Sequence, residues 1–421
     1  MVGRSRALIL IVGVMWIVVA YLSHPADVFQ AARQGTAIWW DVVFPATLPF
    51  LILAEMSLGL GIPHFFGVFL RPLMRPLFRL PGVASFVLTM GFASGYPMTA
   101  RLTVSMRQRG DVTRLEAERM VAFATTSDPV FISAVVAVGL FQVPAYAAVL
   151  AAVHYGSAVL IGLLYRFYGV RAEDEASEEL EHPQNAAPHE PLLGQAYRAM
   201  ENARRQDGRP FGRLLADSVQ TALSTTFVIG GLIIFFSVLM QIFETTGVMR
   251  ILERLFRSIA RPLGVPDALL PALTHGLFEV TIGVEAAAQA PGALAPAERL
   301  AVASAVLAWA GLSVQSQVAT IIAHTDIRFA PFWIARLLHT ALAPIVFRLS
   351  WPCFTRLNPH LSEPVFADMY GALSTSPLER MEAAAQRLLF AVALLFALSA
   401  AVALVHGLIR LSRRWLHMRK A

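Results

Sequence analysis

The chain has 421 residues, of which 56% are hydrophobic and 15% are charged. Soluble domains average about 25% charged residues, so this composition excludes an ordinary soluble domain and indicates a protein that crosses a membrane many times. The formal net charge of +6 does not indicate nucleic-acid binding, because basic residues at the ends of apolar segments are what membrane orientation requires. The single cysteine, Cys353, excludes an intramolecular disulfide and a cysteine-based metal site.

Apolar stretches long enough to cross a bilayer, roughly 17–25 residues, occur along most of the chain. The sequence therefore predicts an all-α polytopic membrane protein with about eight transmembrane helices. The first stretch could instead be a signal peptide, but no convincing cleavage site of small residues follows it. The predicted spans are 7–22, 39–60, 119–142, 145–166, 214–243, 298–323, 330–352 and 387–411.

Two further apolar stretches, 82–106 and 267–293, are interrupted near the middle by glycine-rich sequence. Gly-Phe-Ala-Ser-Gly-Tyr-Pro occupies 91–97, and Gly-Leu-Phe-Glu-Val-Thr-Ile-Gly occupies 276–283. Irregular backbone is tolerated inside a membrane only where protein or water satisfies its polar groups. Each stretch is therefore predicted to form a re-entrant helical hairpin, which enters the membrane and returns by the same face.

The two halves of the chain resemble each other. Segment 50–77 aligns with segment 236–263 at a constant offset, so that Gly61 falls on Gly247. Each repeat would contain three full spans, so the second copy must enter the membrane upside down and the hairpins come from opposite faces. Such an inverted repeat, with hairpin tips meeting near the membrane midplane, is the plan of many secondary transporters.

Basic residues predict the orientation of the chain in the cell membrane. Arg4 and Arg6 place the N-terminus in the cytoplasm, and eight spans return the C-terminus to the same side. The second hairpin then lies outside beside several arginines, which fits the positive-inside rule less well. The predicted domains are an N-terminal helix and connector (1–38), a first repeat (39–166), a cytoplasmic acidic linker (167–212), a second repeat (213–352), an external loop (353–386) and a C-terminal helix with a basic tail (387–421).

Polar residues in the middle of apolar segments are the best candidates for a binding site. Thr125-Thr126-Ser127-Asp128-Pro129 lies inside the predicted span 119–142, and proline disfavours helical geometry for the residue before it. An aspartate at this depth is costly and usually faces a cavity. We predict an unwound helix that exposes hydroxyls, carbonyls and a carboxylate to a solute. The alternative is a proline kink whose hydroxyls bond the freed backbone, with Asp128 paired to an arginine.

Further polar residues lie in the matching span of the second half and at the hairpin tips. Ser313 could merely let helices approach, whereas Gln315 and Gln317 are harder to explain in that way. Glu279 could coordinate a solute or couple a proton, or it could pair with an arginine. Helix N-termini at the tips would direct partial positive charge at an anionic group. The predicted solute-binding residues are Ser94, Gly95, Tyr96, Thr125, Thr126, Ser127, Asp128, Glu279, Thr281, Ser313, Gln315 and Gln317.

Enzyme signatures are absent from the sequence. There is no nucleophile elbow, no zinc-protease motif and no phosphate-binding glycine loop. The histidines lack metal-ligand spacing, and His154 and His275 are predicted to form hydrogen bonds between helices. The sequence therefore predicts a protein that is not an enzyme and that uses neither a metal nor a cofactor.

Several of these motifs together resemble a known family. The stretches 91–97, 125–129 and 276–279 are similar to the sporulation integral membrane protein YlbJ family of endospore-forming bacteria, and the similarity runs from about 38 to 352. The resemblance implies membership of the nucleoside-recognition, or Gate, group, a transporter-like architecture and a role in forming the spore cortex. It also implies that Glu279 lies at the site, without identifying a solute. Asp128 departs from the family, which often has asparagine there.

Two functions follow as alternatives. The first is a secondary transporter that moves a small polar or anionic solute needed during sporulation. The second is a non-transporting scaffold or receptor that organises cortex-building proteins, with its function in 171–210 or 353–386. The expected partners are the lipid bilayer, the solute and other sporulation membrane proteins, but no nucleic acid.

Overall fold

The computed structural model describes residues 2–169, 191–291, 294–358 and 361. Within these residues every regular element is helical, as the composition predicts. The helices of the first half are α1 (Val2–Ser23), α2 (Pro25–Ala37), α3 (Phe44–Gly59), α4 (Ile62–Leu73), α5 (Ala84–Ser94), α6 (Tyr96–Arg109), α7 (Arg114–Ala124), the π-helical α8 (Phe131–Leu140) and α9 (Tyr146–Tyr165). Those of the second half are α10 (Leu192–Asp207), α11 (Phe211–Thr245), α12 (Val248–Ala260), α13 (Leu270–Phe278), α14 (Val280–Ala288), α15 (Pro296–Trp309), α16 (Gly311–Ile322) and α17 (Phe329–Leu357).

Five stretches of the described chain are long and apolar enough to cross a membrane. They coincide with five of the predicted spans. The first predicted span, 7–22, corresponds to a shorter apolar helix, Ile11–Ser23. The predicted span 387–411 lies outside the described residues. The five stretches are Pro25–Gly59, Tyr146–Tyr165, Phe211–Thr245, Pro296–Ile322 and Phe329–Leu357.

One predicted span needs correction, and one contains a break that the sequence predicted. The span 39–60 begins earlier, at Pro25, because α2 continues into α3 through the π-helical turn Ile38–Val43. No helix-breaking residue separates these elements, so the connector expected before residue 39 is itself helical. Within the span 119–142 the chain leaves helical geometry after Ala124 and resumes it before α8, so the predicted unwound segment is confirmed.

The same order of elements occurs twice. Helices α3 to α9 correspond in turn to α11 to α17, and left-handed glycines, Gly61 (φ 77°) and Gly247 (φ 79°), make the matching first turns. Contacts between the halves are reciprocal: α6 packs against α16 as α14 packs against α8, and α7 packs against α17 as α15 packs against α9. Reciprocal packing of this kind is what a pseudo-twofold relationship between repeats produces.

The two predicted hairpin segments are pairs of short helices that fold back on themselves. Helices α5 and α6 are separated only by Gly95, whose φ of 78° favours glycine. Gly91 in α5 faces the Thr99 hydroxyl of α6 with no room for a side chain. In the second half, Gly276 and Gly283 meet backbone to backbone. Glycines at the contact points therefore allow both helix pairs to close tightly.

The linker expected at 167–212 is partly helical. Its second part is α10, which packs along α4 and buries Phe69 and Ala196 between the two helices. Asp207 at the end of α10 accepts hydrogen bonds from Arg209, which also pairs with Asp217 of α11. A solvated linker was expected because charged residues dominate its first part, but apolar residues on one side of α10 bind it to the first repeat.

We expect Asp207→Asn to lower the thermal unfolding midpoint at neutral pH. Hydrogen bonds and charge from Arg209 hold the pKa of Asp207 below its usual value of 3.8. A lowered pKa stabilises the folded chain above the unfolded pKa, and that contribution is lost as the pH falls through the lowered value. The midpoint of the variant should therefore fall less on acidification. Glu201→Gln, which breaks an exposed pair with Arg205, is the control and should change little.

Helix α17 connects the bases of the two hairpin segments. Arg328, just before the first residue of α17, donates to the carboxylate of Glu118 through Nε (2.8 Å) and Nη2 (2.9 Å). Glu118 lies in α7, which follows the first hairpin segment in the chain. Near the other end of α17, Arg348 donates to the carbonyl oxygen of Leu263 (3.3 Å). Leu263 lies shortly before the second hairpin segment in the chain. About twenty residues of helix rise about 30 Å, which is the thickness of a bilayer's hydrocarbon core. The two bases therefore lie at opposite ends of α17.

Candidate functional site

The first feature of the site is the break between α7 and α8, at residues 125–128. The last carbonyl groups of a helix have no helical partner and need another donor. Here side chains supply it: the Thr125 hydroxyl donates to Val121 O (2.6 Å), and the Thr99 hydroxyl donates to Ala124 O (3.1 Å). Thr125, predicted to face a solute, therefore bonds the backbone of its own helix, as the kink alternative requires.

The second feature is the break between α15 and α16. It is made by Ala310 (φ 71°) and Gly311 (φ 77°), both in the left-handed region. This region costs a residue with a Cβ about 1–2 kcal/mol, so Ala310 is strained. A side chain on Gly311 would stand 2.9 Å from the carbonyl oxygen of Phe278 in the second hairpin segment. The predicted span 298–323 coincides with the apolar stretch Pro296–Ile322, but its helix is interrupted at Ala310 and Gly311, where no proline marks the break.

All four carbonyl groups at the end of α15 are paired. One donor comes from the first repeat: the Tyr96 hydroxyl donates to Leu307 O and also contacts Ser127 Oγ. Tyr96 is the first residue of α6, so the tip of the first hairpin segment is bonded to the break of the opposite repeat. The donors are Ala310 N to Val306 O (3.0 Å), Tyr96 Oη to Leu307 O (2.9 Å), Arg336 Nη1 to Ala308 O (3.4 Å) and Gln315 Nε2 to Trp309 O (3.1 Å).

Both predicted carboxylates cap helix N-termini. Asp128 Oδ1 accepts from the amides of Val130 (3.0 Å) and Phe131 (2.8 Å), at the start of α8. Glu279, which is 5% exposed, accepts from the amide of Ile282 (3.0 Å) at the start of α14. The positive end of a helix dipole stabilises a carboxylate in this position. Glu279 thus lies at the tip of the second hairpin segment and caps the first turn of α14.

Three predicted residues carry a buried polar atom that has no hydrogen-bond partner within the described chain: Thr126 Oγ1, Ser313 Oγ and Gln315 Oε1. Their side chains are at most 2% exposed. Thr126 lies in the first break, and the other two lie in the first turns after the second break. A buried polar atom without a partner costs about 1–3 kcal/mol, so such atoms are rare unless something binds them.

Ser127 is held from three sides. Its amide donates to His154 Nε2 (3.1 Å), its carbonyl accepts from the Tyr155 hydroxyl (2.9 Å), and its own hydroxyl contacts Tyr96 (2.5 Å). His154 therefore accepts a hydrogen bond from a neighbouring element, as the sequence predicted. These bonds fix the backbone on either side of Thr126 and Asp128.

The remaining predicted residues are placed as follows. Ser94 is partly exposed beside the tip, and Gly95 packs against the carboxylate of Asp128. Thr281 donates to Glu279 Oε1 (3.4 Å), and Gln317 donates to Ser313 O (3.3 Å). Gln317 therefore turns to its own helix backbone.

Sequence reasoning missed two buried residues of α17. Arg336 is 0% exposed and donates to both broken helices, and His339 bonds Ser157 (2.8 Å) beside His154. A signal was present, because an arginine in the middle of the predicted span 330–352 is an ionisable residue at membrane depth.

Comparisons with known proteins agree with this architecture. A family model described as "Gate: Nucleoside recognition" matches residues 40–152 and 226–325, which lie in the first and second repeats. The chain is 38% identical over 342 residues to the sporulation integral membrane protein YlbJ of Bacillus subtilis (strain 168), covering 81% of this chain and 82% of the relative. The chain belongs to the YlbJ family of Gate-domain proteins. The family predicted from the sequence motifs is thereby confirmed.

The family assignment also fixes the general class of the protein. It is an integral membrane protein with several apolar helices, of a family that is not an enzyme family. A shorter match, 31% identical over 104 residues, links 24% of this chain to 22% of an uncharacterized protein of Alkalihalophilus pseudofirmus. No solved structure matches the chain.

Proposed function

We propose that this YlbJ-family protein moves a small polar solute across the cytoplasmic membrane of a sporulating cell, at a site between the two helix breaks. One observation carries the proposal: Thr126, Ser313 and Gln315 present unpaired polar atoms at buried positions beside these breaks. Buried polar atoms are usually hydrogen-bonded, so three unpaired ones beside the breaks support a polar ligand there. The relative's printed name supplies the setting, sporulation, and formation of the spore cortex is the process that we propose depends on the solute.

We further propose that the chain has eight transmembrane helices and two re-entrant hairpins in an inverted repeat, with both termini in the cytoplasm. The placement of the hairpin bases at opposite ends of α17 supports this arrangement. Arg336 lies between them, about 12 Å along the helix from Arg328 and about 18 Å from Arg348. Since Arg336 bonds both broken helices, the breaks belong near the membrane midplane.

Cysteine labelling tests the inverted arrangement. In a Cys353→Ala background, Arg109→Cys marks the base of the first hairpin and Leu263→Cys the base of the second; both positions are exposed. A membrane-impermeant maleimide added to intact cells should label only the second. Opening the cells should make the first reactive. Equal labelling of both positions in intact cells contradicts the inverted repeat.

The function is tested in a spore-forming host that lacks its own family member and is rescued by this chain. Thr126→Val combined with Ser313→Ala should abolish heat-resistant spores and reduce cortex peptidoglycan. The matched control combines Thr47→Val with Ser304→Ala, whose hydroxyls bond only their own helices, and it should rescue fully. Membrane levels of both proteins are measured by immunoblot. Full rescue by the site variant at equal level would overturn transport at this site and favour a scaffold.

A further inference from the structure

Arg336 is a fully buried cation without an acidic partner. It lies in the middle of α17, 0% exposed, and forms no ion pair with a carboxylate among the described residues. Its Nη2 donates to Ala122 O (2.8 Å) and its Nη1 approaches Ala308 O (3.4 Å). The guanidinium carbon lies 5.5 Å from the ring centroid of Phe332. A buried charge of this kind is strongly unfavourable unless something of opposite sign compensates it.

The two carbonyl groups that Arg336 contacts can compensate its positive charge. Ala122 and Ala308 lie in the last turns of α7 and α15, the helices that end at the two breaks. Each helix C-terminus carries the equivalent of about half a negative charge. Two such ends together match the single positive charge of one guanidinium. The planar fork of arginine can direct separate N–H groups at both carbonyls, whereas a lysine ammonium acts as a point charge.

We propose that Arg336 is a positioning residue that caps the C-termini of both broken helices at once and thereby fixes the two halves of the candidate site relative to each other. Helices α7 and α15 occupy equivalent places in the two repeats, so the cap joins the repeats at matching points. This role is independent of the proposed solute, because it holds equally for a transporter and for a receptor.

The cap has a specific consequence for dynamics. If one side chain holds both helix ends, removing it should loosen both breaks together and leave distant helices unchanged. A side chain that only fills space in the core should loosen its own surroundings instead. Local opening of this kind is reported by backbone hydrogen exchange.

The experiment compares hydrogen exchange of Arg336→Met, Arg336→Lys and Phe347→Leu with the unmodified protein in lipid nanodiscs. Phe347 is equally buried on the same helix and lies about 16 Å further along it than Arg336. We expect exchange in 125–131 and in 310–316 to rise at least tenfold in Arg336→Met, to rise less in Arg336→Lys, and to stay unchanged in Phe347→Leu.

Three results would overturn the proposal: a rise at one break only, no rise at either, or the same rise in Phe347→Leu. If Arg336→Met does not accumulate in the membrane, Arg336→Lys decides alone. It keeps the charge and most of the volume, so a smaller rise at both breaks supports a forked cap, and an unchanged pattern opposes it. Solute binding enters none of these measurements, so failure here leaves the proposed function to its own test.

Discussion

Replacing Gly283 by alanine should lower the thermal unfolding midpoint of the purified protein by several degrees, although it adds a single methyl group. A Cβ at this position would collide with the Cα and N atoms of Gly276. Both are backbone atoms, so no side chain can rotate to make room. Overpacking of a closely packed interior costs about 1–3 kcal/mol, and more where backbone must move. We expect α13 and α14 to separate and the tip that carries Glu279 to shift.

Gly156→Ala is the matched control and should change stability in the opposite direction. Gly156 is also in a helix, α9, but a Cβ there meets no atom within 4 Å. Alanine is favoured over glycine inside a helix by about 1 kcal/mol, so this variant should unfold at the same or a higher temperature. Both variants are compared by thermal unfolding in the same detergent. If the unfolding midpoints of both variants shift in the same direction by the same amount, α13 and α14 have room for a methyl group between them, which contradicts the prediction.

The helix pairs were predictable because their signals are local. Gly95 and the glycines at 276 and 283 interrupt apolar sequence, and an interrupted apolar stretch has few other structures available to it in a membrane. The first break was also predictable, since Pro129 disfavours helix at Asp128. The matching of the two halves then placed equivalent elements without any knowledge of contacts. These features need only the order of residues along the chain.

The connections between the repeats were not predictable in the same way. The hydrogen bond from Tyr96 to Leu307 joins residues far apart in sequence, and neither local sequence predicts a contact with the other. The break at Ala310 has no proline signal, and tertiary contacts with the second hairpin segment hold its strained backbone. Arg336 was visible as an arginine in an apolar span, but its partners are backbone carbonyls, which carry no sequence mark. For the same reason the sequence could not separate the paired Thr125 from the unpaired Thr126.

The second prediction with a large expected effect concerns the Thr126 hydroxyl, which has no hydrogen-bond partner within the described chain. Thr126→Val should leave the thermal unfolding midpoint of the solute-free protein unchanged or raise it. The Thr126 hydroxyl is buried without a partner, so valine, which has nearly the same shape, removes a desolvated polar atom and loses no hydrogen bond. Thr99→Val should act in the opposite direction, because it removes the donor to Ala124 O at the end of α7 and leaves that carbonyl unpaired, at a cost of about 1–3 kcal/mol.

The same pair of variants separates a binding site from a structural one. If Thr126 faces a solute, Thr126→Val should lose the ability to support heat-resistant spores while its purified form is at least as stable as the unmodified protein. A structural role would instead make loss of function follow loss of stability, as it should for Thr99→Val. Stability retained with function lost is the pattern expected of a side chain whose hydrogen-bond partner is a ligand, since the folded protein alone gains nothing from the hydroxyl. A fall in the unfolding midpoint of Thr126→Val equal to that of Thr99→Val would show that its hydroxyl is satisfied within the protein, and would remove the main support for a solute between the breaks.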